Sequence, residues 1–62
     1  SLNSTLSAEN YDLLLELLER WQQLDKSQRI HLGQHFLSKI GDDLVTDDQA
    51  QLKTHLQKLA GE

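Results

Sequence analysis

The sequence predicts an all-α fold: a small antiparallel three-helix bundle that is also a candidate dimer. Three observations carry that expectation. Leucine alone supplies 14 of the 62 residues, and glutamine, glutamate and lysine, which also suit helices, fill much of the rest. The β-branched residues are only Val45, Ile30, Ile40, Thr5, Thr46 and Thr54, far fewer than a sheet requires. Capping signals at three places then divide the chain into three helical stretches.

The first signal is Ser7, which can cap the free amides of a helix start, with Glu9 where the helix dipole favours an acid. Leu6 and Tyr11 occupy the two positions of a hydrophobic staple. Helix 1 is expected over about 8–24, preceded by a flexible tail at 1–6. The second is Asp25 with Gln28 three residues on, the spacing of a capping box, giving a helix over 26–40 that stops at Gly41. The third is Thr46-Asp47-Asp48-Gln49, read as another capping box, with a helix over 47–59 and Lys58 in its last turn.

Apolar spacing agrees with the caps. Leu52, Leu56, Leu59 and Ala60 form one narrow stripe on helix 3. On helix 2, Ile30, Gly33, Phe36, Leu37, Ile40 and Leu44 share a side, and His31, Gln34, His35 and Ser38 occupy much of the other. Helix 1 differs. Tyr11, Leu13, Leu14, Leu15, Leu17, Leu18, Trp21 and Leu24 cover an arc of about 200° at roughly 100° per residue. Two short helices do not readily cover so wide an arc. Leu13 and Leu15, at its opposite edges, are the hardest to satisfy within one chain.

Composition excludes several classes of function. With no cysteine there is neither a disulfide framework nor a thiolate metal site. No apolar run approaches the roughly 18–20 residues of a membrane span. The formal charge of −4 opposes a phosphate-binding surface as the main business of the chain. A chain of this length has little room for a ligand pocket as well as a core, so neither catalysis nor a small-molecule substrate is expected. The absence of methionine, even at position 1, points to a processed product or a piece excised from a larger protein. The opening residues lack the basic and apolar regions of a signal peptide, so a cytoplasmic parent is expected. The acceptor pattern Asn3-Ser4-Thr5 carries little weight without a secretion signal.

Four motifs each admit a functional and a purely structural reading. His31 and His35 lie one helical turn apart, with His55 on helix 3, and three imidazoles could make an open metal site. The string His-Leu-Gly-Gln-His lacks the glutamate of a zinc hydrolase, so solvated histidines are expected and no metal or cofactor. Asp42, Asp43, Asp47 and Asp48 lack the alternation and the glycine placement of a calcium loop, and are read as charging the start of helix 3. Leu14-Leu15-Glu16-Leu17-Leu18 holds a Leu-x-x-Leu-Leu string that resembles the short helical box docking into nuclear-receptor coactivator grooves; such a string arises easily by chance in a leucine-rich helix, and a general helix-docking face is the expectation. Trp21 fits a core anchor or, half exposed, a binding hot spot.

The functional expectation is a non-catalytic protein–protein interaction or self-association module. Its partner, another protein or a second copy, would meet the surplus face of helix 1 through Tyr11, Leu13, Leu15, Leu18 and Trp21, with acidic flanks selecting a basic or neutral surface. The alternative is a nucleic-acid-associated regulatory domain using helices 2 and 3, with Lys26, Arg29 and Lys39 as its contacts. It would require a contiguous basic face on helix 2.

Overall fold

The computed structural model describes residues 6–61. Three helices, α1 (Ala8–Arg20), α2 (Lys26–Lys39) and α3 (Gln49–Leu59), pack as a bundle, as the sequence predicts. Among the described residues there is no strand, and no helix is long and apolar enough to cross a membrane.

Two helix starts follow their local signals. Ser7 is extended (φ −72°, ψ 163°) and its Oγ accepts a hydrogen bond from the Asn10 amide at 3.1 Å. At α2 the capping box is complete: the Asp25 carboxylate accepts from the Gln28 amide at 2.8 Å, and the Gln28 side chain accepts from the Asp25 amide at 3.0 Å. The α2 stop is equally local. Gly41 takes φ 79°, and the Gly41 and Asp42 amides donate back to the Ser38 and Leu37 carbonyls, the pairing of a Schellman ending.

Three boundaries depart from expectation. Helix 1 is α-helical only to Arg20 and tightens into a 3-10 turn over Trp21–Gln23. The Trp21 carbonyl that a longer helix would use internally accepts instead from Arg29 Nε at 2.7 Å and from the Leu24 amide at 3.2 Å. Helix 2 ends at Lys39, one residue early. Helix 3 starts at Gln49 rather than at residue 47, because Asp48 and not Thr46 is its cap, accepting from the Ala50 and Gln51 amides. Thr46 Oγ1 accepts from the Asp48 amide instead, so the box read at Thr46-Gln49 does not form. The expected tail also shortens: Leu6 packs against the core, while the rest of that tail, with the Asn3-Ser4-Thr5 pattern, lies outside the described residues.

Leu14, Leu37, Leu52 and Leu56 are fully buried where the three helices meet, closed by Trp21, Phe36 and Leu24. Burying a leucine side chain contributes roughly 1.5–3 kcal/mol, so these seven residues carry most of the packing energy. Of the three helix pairs, α2 with α3 is the most extensive and α1 with α2 the least. Gly33 makes the first possible. A Cβ there would stand 2.5 Å from Leu52 Cδ2, so only a glycine lets α3 come this close.

Two side chains hold the α2–α3 connector in place of a backbone ladder. Gln34 Nε2 donates to the Leu44 carbonyl at 2.9 Å, and its Oε1 accepts from the Thr46 amide at 3.0 Å. Asp42 Oδ1 accepts from the Leu44 amide at 2.9 Å, and Oδ2 lies 2.8 Å from His55 Nε2 on α3.

Candidate functional site

A groove of about 290 Å³ lies between α1 and α2. Leu13 and Leu17 line its α1 wall, Leu32 and Phe36 its α2 wall, and Leu24 closes one end. Helical spacing explains the walls. Leu13 and Leu17 are four residues apart, as are Leu32 and Phe36, so each pair stacks on one helix edge. Glu16 and Arg20 stand on the α1 rim, His35 and Lys39 on the α2 rim. The volume sits at the bottom of the roughly 300–1,000 Å³ range of small-molecule sites. It suits a few apolar side chains presented by another helix better than a cofactor.

The five residues expected at the interface separate. Leu13, 39% exposed, faces the groove. Tyr11, 40% exposed, lies away from it: its hydroxyl donates to the Ala60 carbonyl at 3.4 Å, and it lines a hollow with Leu6 and Ala60. Leu15 is half-buried and is not a wall of the groove. Leu18 packs against the core. Trp21 is 4% exposed, so its indole has no face to offer a partner, and the core reading of this residue is the one the structure supports. The Leu-x-x-Leu-Leu string is likewise spent internally, since Leu14 is fully buried and Leu17 and Leu18 pack on the core cluster.

Of the α2 wall, sequence reasoning placed Phe36 on the apolar side and missed Leu32. Leu32 immediately precedes Gly33, which places it about 100° away from the centre of the core-facing side at 3.6 residues per turn. Its place one turn before Phe36 was the available signal. On the α1 rim Arg20 stands beside Glu16, so the groove edge of that helix is of mixed charge rather than acidic.

The basic residues of α2 do not form one face. Arg29 is turned inward: besides its bond to the Trp21 carbonyl, its Nη1 donates to Gln49 Oε1 at 2.9 Å, and its guanidinium sits 5.7 Å from the Trp21 ring centroid. Lys39 lines the groove, while Lys26 lines a separate, shallow hollow with His31 and Asp47. His55 turns to Asp42, and His31 and His35 are exposed on α2. Among the described residues, no group of three or more histidine, cysteine or acidic side chains could hold a metal ion.

The Asp42–His55 contact holds the Asp42 carboxyl below its usual range, chiefly through the hydrogen bond from His55, with the Leu44 amide adding to it and partial burial opposing it. A carboxyl with a lowered folded-state pKa contributes stability that is present above the unfolded value of about 3.9 and is lost as pH falls through the folded value. Below about pH 4 the melting temperature should therefore fall more steeply for the wild type than for Asp42→Asn. The effect is modest, at most about 1 kcal/mol, because both side chains are partly in solvent. Parallel acid slopes for the two proteins would remove the pair from the stability of the fold.

No protein-family model, curated protein or solved structure matches this chain.

Proposed function

We propose that the domain is a non-catalytic, cytoplasmic docking module whose α1–α2 groove receives an amphipathic helix. The observation that carries the reading is the groove itself: five apolar side chains open to solvent at Leu13, with Glu16 and Arg20 on one rim and His35 and Lys39 on the other. Helix-in-groove recognition needs an apolar trough that accepts anchors at i, i+4 and i+7, with polar edges that fix register. The trough between Leu13-Leu17 and Leu32-Phe36 has that form. Leu13 is exposed beside the half-buried Leu17 and Leu32, so the trough is open to an incoming apolar side chain. The nucleic-acid alternative is weakened by the dispersal of Lys26, Arg29 and Lys39 over different surroundings.

The test is titration with a synthetic amphipathic peptide carrying leucines at i, i+4 and i+7 and flanking glutamates, followed by methyl chemical shifts. Saturable shifts are expected at Leu13, Leu17 and Leu32. Leu13→Glu should weaken the peptide by tenfold or more, about 1.4 kcal/mol, with helicity retained. Val45→Glu, a change at an exposed site on the connector, should leave binding intact. If the groove methyls stay unmoved at millimolar peptide, or both variants bind as the wild type does, the groove is not a docking site.

A further inference from the structure

We infer that His31 and His35 form a two-imidazole site on the exposed face of α2 for a divalent cation of the zinc, nickel or copper class. The inference is separate from the docking reading and does not depend on it. The two histidines are four residues apart in the unbroken α-helix Lys26–Lys39, so their Cβ atoms are neighbours at about 5–6 Å. A metal ion held by two imidazole nitrogens at about 2.0–2.1 Å each bridges side chains at that spacing. Both histidines are exposed and line one hollow with Gln34 and Asp47. Among the described residues, His55 is the one histidine whose ring has a hydrogen-bonded partner, Asp42. The pair on α2 keeps its ring nitrogens for a ligand.

Packing fixes the backbone beneath the pair. Gly33, midway between the two histidines, is buried and closed against Leu52 with no room for a Cβ. The turn that carries both imidazoles is therefore anchored on α3, although a glycine would otherwise loosen it. Two ligands on an anchored turn lose little backbone freedom when they close on an ion. The local charges are mixed: Lys26 lines the hollow opposite in sign to Asp47, and Lys39 shares the groove rim with His35. The net charge of −4 favours a cation over an anion, and the Asp47 carboxylate is an acceptor for metal-bound water.

The donor set selects the ion. Imidazole suits zinc, nickel and copper, whereas magnesium and calcium take oxygen ligands. Two protein ligands leave the remaining coordination positions to water, as in an open site and unlike a closed structural centre. Binding is accordingly weak and exchangeable, with copper(II) held more tightly than nickel(II) or zinc. The pairing exists only while α2 is helical, so the ion stabilises the folded domain.

The test is titration of the full chain with zinc chloride from about 10 µM to 1 mM, followed by the imidazole proton resonances and by the melting temperature. Saturable shifts are expected at His31 and His35 and not at His55, with a rise in melting temperature that magnesium chloride does not reproduce. His31→Gln and His35→Gln should each weaken zinc by about tenfold or more, because one remaining imidazole loses the advantage of the second arm. The double variant should lose little beyond either single one. All three should keep the helical signal, since both side chains are exposed. No saturation by 1 mM zinc, binding that survives the double variant, or an equal loss in His55→Ala overturns the proposal.

Discussion

Replacing Leu56 by alanine is expected to remove about 2–5 kcal/mol of stability, enough to leave much of this domain unfolded. Leu56 is fully buried among Leu14, Leu37 and Leu52, so truncation opens a cavity that no neighbour can fill without leaving its own helix. A single core in a chain of this length seldom supplies more than about 3–5 kcal/mol in total, and no disulfide supplements it. Urea denaturation followed by circular dichroism reads the loss directly. A cost below about 1 kcal/mol would mean that α3 does not pack through this stripe.

The second large effect lies at the contact between α2 and α3. Gly33→Val should destabilise the domain by about 1–3 kcal/mol, the usual range for overpacking a filled core, although valine suits a helix interior better than glycine. The added Cβ would stand 2.5 Å from Leu52 Cδ2, 3.0 Å from Cγ and 3.2 Å from Cδ1. The whole buried isobutyl group must therefore shift, and being fully buried it has nowhere to go. In a Leu52→Ala background the obstruction is gone, and the same substitution should be neutral or stabilising. That reversal of sign in a double-mutant cycle is the signature of direct contact. Additive costs would place the two residues apart.

The contrast among helix boundaries shows what a linear reading can resolve. Ser7 and Asp25 were legible because their partners, Asn10 and Gln28, are three residues away and nothing distant competes for them. At α3 two caps stood two residues apart, Thr46 and Asp48, and both satisfy local rules. The choice between them involves Gln34, which takes the Thr46 amide from 12 residues upstream and fixes the connector's backbone. The early end of α1 has the same kind of cause, since Arg29 on the next helix engages the Trp21 carbonyl. The groove was half legible for a related reason. A helical wheel makes Leu13 and Leu15 equivalent edges of one arc, and only the tertiary arrangement puts Leu13, and not Leu15, on the groove. Leu32 was lost because its side chain belongs to neither the core stripe nor the polar face of α2.

The side-chain clamp on the α2–α3 connector also bears on the order in which the fold assembles. Gln34 and Asp42 bind groups no more than 13 residues away, so α2, the connector and α3 can close as a hairpin with little loop entropy to overcome. Such short sequence separations place helical domains among the fastest folders, in the microsecond-to-millisecond range. The sequence contains no proline and no cysteine, which removes prolyl isomerisation and disulfide exchange as slow steps. A chain of this kind refolds within its own synthesis time per residue, so its core leucines spend almost no time in water before the bundle closes.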